Sequence, residues 1–122
     1  MNTPKLTVVI GASENPSRYS FLAVSRLRAN GHPVIAIGKR AGQIGDTPIV
    51  TEHPDTPGVD TVTLYLNPTL QQEYYDYIFS LKPKRIIFNP GTENTELIKM
   101  AAEHGVKAQE ACTLVLLSTG QY

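Results

Sequence analysis

Short apolar runs alternate along the chain with segments whose apolar residues recur every three or four positions. The runs are rich in β-branched residues and stop at turn formers, which is typical of strands buried in a parallel sheet. Five runs predict strands, at residues 6–10, 33–37, 60–66, 84–88 and 106–109. Residues 39–58 are rich in glycine and proline, and they predict a loop with a small edge element at 48–50.

Three helices are predicted between these strands. The first ends at Gly31, and Asn67 followed by Pro68 predicts the N-cap and first residue of the second. The third covers about residues 93–104. Residues 113–117 are apolar, and their pattern leaves a final helical turn and a strand equally open.

This alternation predicts one α/β domain over residues 1–122, with a Rossmann-like three-layer fold. Right-handed crossovers favour a mainly parallel five-stranded sheet with strand order 3-2-1-4-5. The chain then reverses direction between the first and fourth strands, and ligands bind outside the carboxyl ends of strands at such a point. The loops there are residues 11–20 and 89–94.

Composition narrows the range of partners. Lys plus Arg and Asp plus Glu number 11 each, so a neutral chain exerts no long-range attraction on nucleic acid or anionic lipid. No apolar run approaches a signal peptide or the roughly 20 residues of a membrane span. Cys112 is the only cysteine, which excludes an intrachain disulfide and a cysteine-based zinc site. We therefore expect a cytoplasmic protein that binds neither nucleic acid nor membrane.

Residues 11–20 have the features of an anion-binding loop. They lie between a buried strand and a helix, where backbone amides and the helix dipole favour an anion. Serine hydroxyls and the guanidinium of Arg18 add donors suited to phosphate oxygens. The alternative is an ordinary turn with a serine N-cap and a solvated Arg18. The dinucleotide fingerprint G-x-G-x-x-G is absent, since Gly11 is the only glycine here.

The end of the second strand separates two classes of nucleotide. NAD-binding domains place an acidic residue there, which accepts hydrogen bonds from the ribose hydroxyls. Here the chain reads Gly38-Lys39-Arg40, and two cations favour a phosphorylated ribose. Coenzyme A has a 3′-phosphate and NADP a 2′-phosphate on that ribose. The alternative is that both residues only keep a surface loop soluble.

The sequence offers no catalytic constellation. The three histidines, at positions 32, 53 and 104, have no spacing suited to a metal, and Cys112 has no paired base. Tyr75 and Tyr77 follow the core position Tyr74 and are candidates for exposed partner contacts. We therefore predict no catalytic residue and no metal site.

The motif G-A-S-x-x-P-x-R-x-S, from Gly11 to Ser20, resembles the opening of the small standalone coenzyme A-binding domain proteins. These are related to the nucleotide-binding domain of the succinyl-CoA synthetase α subunit. The likeness spans nearly the whole chain and ends with Cys112. It implies a Rossmann-like fold that binds CoA across the strand ends. The predicted cofactor-binding residues are Gly11, Ala12, Ser13, Pro16, Arg18, Tyr19, Ser20, Gly38, Lys39, Arg40, Asn67, Pro68, Asn89, Pro90 and Gly91.

The expected function is non-catalytic binding of coenzyme A, an acyl-CoA or a related phosphorylated adenine nucleotide. Two alternatives stay open, an NADP-linked oxidoreductase and a cofactor-binding subunit of an acyl-CoA ligase. The expected partner is a small-molecule nucleotide, and a homo-oligomer or a ligase partner chain is compatible with the sequence.

Overall fold

The computed structural model describes residues 3–122. Seven strands form one sheet in the order β3-β4-β2-β1-β5-β6-β7, and every neighbouring pair is parallel except β3 with β4. The strands are β1 Thr7–Ile10, β2 Val34–Ile37, β3 Gly42–Ile44, β4 Thr47–Val50, β5 Thr61–Leu64, β6 Arg85–Phe88 and β7 Lys107–Glu110.

Helices cover both faces of this sheet. They are α1 Tyr19–Ala29, α2 Pro68–Gln71, α3 Tyr75–Ser80, α4 Thr95–Glu103 and α5 Thr113–Ser118, with the 3₁₀ turn Gln72–Tyr74 between α2 and α3. Asn67 accepts a hydrogen bond from the Leu70 amide at 3.0 Å, so the predicted N-cap is present. The segment 113–117, left open by its pattern, is helical.

Alternate side chains of each central strand enter different cores. Val8 and Ile10 belong to a core that includes Ile78 and Leu97, whereas Val9 packs in a core with residues of α1 and α5. Successive side chains of a strand point to opposite faces, so burial on both faces requires the near-continuous apolar runs seen in the sequence. The three-layer α/β prediction is thus confirmed.

The predicted five-stranded sheet of order 3-2-1-4-5 was wrong in strand number and order. Residues 48–50, predicted as a small edge element, belong to β4, which pairs in parallel with β2. The strand predicted as third is β5, and it pairs with β1 on the other side. Because β4 takes the place next to β2, the chain reverses direction between β1 and β5.

Of the two tyrosines predicted as candidates for exposed contacts, Tyr77 differs from its prediction and Tyr75 is half-buried. Tyr77 is buried and its hydroxyl donates to the Pro54 carbonyl at 2.8 Å. The Tyr75 hydroxyl donates to a Glu96 carboxylate oxygen at 2.9 Å and accepts from the Asn94 side-chain amide. Both hydroxyls are therefore engaged within the chain.

Candidate functional site

A crevice of about 850 Å³ opens at the carboxyl ends of the central strands, where the chain reverses direction. Four loops contribute to it: the β1 loop (residues 11–18), the β2 loop (residues 38–41), the β5 loop (residues 65–67) and the β6 loop (residues 89–94). The volume lies within the range of roughly 300–1,000 Å³ typical of small-molecule sites. Loops that follow neighbouring strands thus meet around a ligand-sized cleft.

Two glycines bring the strand ends together at the base of the crevice. Gly11 has φ +98, and a Cβ there would lie 3.0 Å from the backbone of Tyr65 after β5. A Cβ on Gly38 would overlap the Ala12 carbonyl oxygen. The backbones of three neighbouring strand ends therefore approach each other more closely than side chains permit.

The β1 loop has both engaged and free backbone donors. The amides of Gly11 and Ala12 both donate to the Ile37 carbonyl at 2.9 Å, so they are engaged within the fold. Asn15 organises the remainder, since its side-chain oxygen accepts from the Ser17 amide at 3.0 Å and from the Ser17 hydroxyl at 2.8 Å. Within residues 3–122, four backbone amides of this region donate no hydrogen bond, those of Ser13, Glu14, Tyr19 and Ser20.

The N-terminus of α1 has no side-chain cap. Its N-cap is Arg18, in extended conformation, whereas the starts of α2 and α4 are capped by Asn67 and Asn94. The alternative of a serine-capped turn is thus not what the chain adopts. An uncapped start leaves N–H groups and the positive end of the helix dipole directed at the crevice.

Three cations line the crevice, Arg18, Lys39 and Arg40. Across residues 3–122 none of the three forms an ion pair or a side-chain hydrogen bond, whereas Arg28 and Lys84 are paired with aspartates. Two carboxylates, Glu14 and Glu73, also line the crevice, so the charged side chains there sum to one excess positive charge. The cations remain available to an anionic ligand.

Most of the predicted binding residues come together here. Twelve of the fifteen line the crevice: Gly11, Ala12, Ser13, Arg18, Tyr19, Ser20, Gly38, Lys39, Arg40, Asn67, Pro90 and Gly91. Pro16 and Pro68 lie outside the lining, and Pro68 instead begins α2. Tyr19 is 72% exposed, so its ring is open to a ligand at the crevice mouth.

Asn89 is directed into the fold instead of the crevice. It is buried, and its side-chain amide donates to the Thr63 hydroxyl at 2.7 Å and to the Leu64 carbonyl at 2.8 Å. Its side-chain oxygen accepts from the Thr113 amide at 2.9 Å. Asn89 therefore joins β5, β6 and α5 and leaves the lining to the two residues that follow it.

Sequence reasoning missed eight residues of the lining. They are Glu14, Asn15, Tyr65, Leu66, Leu70, Glu73, Tyr74 and Thr92. Tyr65 and Leu66 follow β5, and the position of β5 beside β1 would have indicated them. Tyr74 was predicted as a core position, and it is buried in the core as well as lining the crevice, so its core pattern gave no sign of the site.

A buried glutamine joins the two loops on the β5 side of the crevice. Gln71 is fully buried, and its side-chain amide donates to the Leu66 and Thr92 carbonyls, both at 2.8 Å. Its side-chain oxygen accepts from Asn94 at 2.9 Å, so all its polar atoms are satisfied. Since Leu66 and Thr92 both line the crevice, Gln71 fixes the spacing of this wall.

Burial shifts the pKa of two titratable side chains, Tyr65 at the crevice and His32 away from it. Burial raises the pKa of the Tyr65 phenol well above its usual range, which keeps it protonated at neutral pH. Burial also lowers the pKa of His32, whose Nδ1 accepts from the Lys5 amide at 3.0 Å, away from the crevice lining. Among the described residues no group of three His, Cys, Asp or Glu side chains is placed to hold a metal.

No helix within residues 3–122 is long and apolar enough to cross a membrane.

Comparisons with known proteins agree with this geometry. The family model described as "CoA binding domain" matches residues 5–118. A crystal structure of an uncharacterized protein is 48% identical, covers 99% of this chain and 100% of its own, and superposes with a TM-score of 0.96. A hypothetical protein from Pyrococcus horikoshii OT3 is 23% identical over 93% of this chain and 81% of its own, with a TM-score of 0.83, which shows the fold alone. The comparison with curated proteins gave no match.

Proposed function

Because the chain belongs to the CoA-binding domain family, we propose that its crevice binds coenzyme A or an acyl-CoA as a non-catalytic binding module. The observation that carries the proposal is a group of three cations on one crevice that have no partner within residues 3–122, beside four backbone amides that donate no hydrogen bond to those residues. Coenzyme A presents a diphosphate and a 3′-phosphate, and anionic oxygens are the acceptors that such donors fit.

The two sides of the crevice suit different parts of this ligand. The amides and Arg18 at the start of α1 suit the diphosphate, because a helix N-terminus stabilises negative charge. Lys39 and Arg40 follow β2, where the ribose lies in related nucleotide-binding folds, and they suit its 3′-phosphate. The exposed ring of Tyr19 offers a face on which a base can stack.

The lining favours CoA over NAD for an electrostatic reason. After β2 the chain has no carboxylate before Gly42, and the position from which NAD-binding domains supply an acceptor to the ribose hydroxyls is followed by two cations, Lys39 and Arg40. NADP has a phosphate on the same ribose and is the competing ligand. The oxidoreductase from Bacillus cereus that superposes with a TM-score of 0.59 is 15% identical and shares the fold alone.

Calorimetric titration with CoA, dephospho-CoA, NADP and NAD tests the proposal. We expect CoA to bind more tightly than dephospho-CoA, because only CoA offers the phosphate that Lys39 and Arg40 would pair with. Arg40→Ala should weaken CoA about tenfold, the value of one charge-assisted contact, and leave dephospho-CoA unchanged. Arg26→Ala removes an exposed arginine of α1 outside the crevice lining and serves as the matched control.

Three results would contradict the proposal. Absence of CoA binding at millimolar concentration would contradict the proposed function itself. Equal affinity for CoA and dephospho-CoA would show that the β2 loop does not bind the ribose phosphate. Tighter binding of NADP than of CoA would favour the oxidoreductase alternative.

A further inference from the structure

The β1 loop contacts the segment after β2 at two separate points. At the first, the Ala12 carbonyl lies so close to Gly38 that a Cβ there would overlap its oxygen. At the second, the Glu14 carboxylate accepts a hydrogen bond from the Gln43 amide at 3.0 Å. The β2 loop, with its two cations, runs between these contacts.

Glycine at position 42 is a second, independent sign of the Glu14 contact. Its φ is not in the left-handed region, so backbone conformation does not require a glycine. A Cβ at this position would overlap the carboxyl end of the Glu14 side chain. The Glu14 side chain thus lies across Gly42 and reaches the next amide, and glycine leaves the space that this path needs.

We propose that Glu14 is a positioning residue, which holds the β2 loop against the β1 loop and so sets the selectivity of the site for the ribose phosphate. This inference rests on the proposed function. Lys39 and Arg40 are exposed, and residues 39–41 lie outside the strands. A segment this short, held at Gly38 by close packing and at Gln43 by Glu14, keeps its cations within reach of a ligand in the crevice. Without the Glu14 contact the far end of the segment is held only by the pairing of β3 with β4, and no longer against the β1 loop.

The charge of Glu14 and its contact act in opposite directions on an anionic ligand. The carboxylate lines the crevice, so its negative charge opposes a bound phosphate. Its oxygen, however, holds the β2 loop in place. Glutamine keeps an acceptor oxygen of the same reach and removes the charge, whereas alanine removes both. The two substitutions therefore separate position from charge.

The first measurement needs no ligand. Amide hydrogen exchange at Gln43 should be protected in the wild type and in Glu14→Gln, and should become faster in Glu14→Ala. Gly42→Ala should also make exchange at Gln43 faster, because its new methyl group displaces the Glu14 side chain. Glu103→Ala removes an exposed carboxylate of α4 and is the matched charge control. Unchanged exchange at Gln43 in Glu14→Ala would show that the contact does not form.

The second measurement is the ratio of affinities for CoA and dephospho-CoA. We expect Glu14→Ala and Gly42→Ala to lower this ratio about three- to tenfold, the value of one hydrogen bond. Glu14→Gln should keep the ratio and bind CoA at least as tightly as the wild type. An unchanged ratio in both Glu14→Ala and Gly42→Ala, with faster exchange at Gln43, would overturn the positioning role.

The two proposals fail in different ways. If wild-type protein binds no CoA, both the proposed function and the positioning role are contradicted. Exchange at Gln43 still shows whether the Glu14 carboxylate accepts a hydrogen bond from the Gln43 amide. If the wild type discriminates between CoA and dephospho-CoA but Glu14→Ala discriminates equally well, only the positioning role is lost.

Discussion

At the scale of single residues, the crevice depends on close backbone contacts at glycine positions. The sequence shows these glycines, but it does not show which contact requires each of them. Gly11 was predicted as the turn after the first strand, and its φ of +98 agrees with that. Gly38 was predicted as part of the basic turn, but its closeness to the Ala12 carbonyl depends on how β1 and β2 pair. A glycine required by long-range backbone contact looks the same in sequence as one required by a turn.

This difference leads to a prediction for two alanine substitutions. At Gly38 the added methyl group meets a backbone oxygen, which cannot move without shifting the β1 loop. We expect Gly38→Ala to lower the free energy of unfolding by about 1–3 kcal/mol, the usual effect of overpacking. At Gly42 the methyl group meets the end of a flexible side chain, so Gly42→Ala should change stability by less than about 1 kcal/mol. Urea denaturation measures both, and equal losses would contradict this explanation.

At the scale of secondary-structure elements, the strands buried on both faces were predicted, whereas β3 was missed and β4 was predicted only as a small edge element. The buried patterns of β1 and β5 are continuous, and their apolar runs indicated strands directly. In β3 and β4 buried and exposed positions alternate, and glycine and proline occur within them. The missed signal was Gly45-Asp46 between two short runs, a pair typical of two-residue hairpin turns. That omission also caused the wrong strand order.

The hairpin formed by β3 and β4 is joined to α1 by a bidentate ion pair, which makes it sensitive to acid. Arg28 donates to the Asp46 carboxylate at 2.8 and 3.2 Å and, as the main cause, lowers the pKa of Asp46 to about 2. A depressed pKa contributes stability above the unfolded value near 3.8, and this contribution is lost as the pH falls from there towards 2. Both side chains are exposed, so the contribution to global stability is small.

The expected result is local. Between pH 4 and pH 2, amides of residues 44–47 should lose exchange protection before the central strands do, as followed by NMR. Asp46→Asn should have weaker protection of these amides at neutral pH and little further loss on acidification. Acid sensitivity equal to the wild type in Asp46→Asn would assign the effect to another group.

At the scale of the whole molecule, the layer architecture and the place of the crevice could be predicted because both follow from the alternation of strands and helices. Twelve of the fifteen predicted binding residues line one crevice, since loops after parallel strands meet at one edge of the sheet. Asn89 shows the limit of this reasoning. A polar residue after a strand faces either a ligand or the interior, and only the positions of Thr63 and Thr113 decide between them.

Tyr122, the last residue of the sequence, connects distant parts of this architecture. It is buried, its hydroxyl lies 2.6 Å from that of Thr7, and its ring packs on His32 at 4.9 Å and on the Arg85 guanidinium at 4.5 Å. Its carbonyl accepts from Arg85 at 3.0 Å. The residue thus joins β1, the segment before β2, and β6 on the face that carries α1 and α5.

We expect Tyr122→Ala to lower the free energy of unfolding by about 2–4 kcal/mol, because it empties a buried aromatic site and removes the hydrogen bond between the Tyr122 and Thr7 hydroxyls. Tyr122→Phe keeps the ring and should lose only about 1 kcal/mol, the value of one hydrogen bond. Chemical denaturation of both variants measures the ring and the hydroxyl separately. Since the crevice lies at the other end of β1, CoA affinity should be the same in Tyr122→Phe as in the wild type. A loss in Tyr122→Ala no larger than in Tyr122→Phe would mean that the ring adds nothing, and that the anchoring depends on the backbone contacts of residue 122 with Lys5, Arg85 and Leu116.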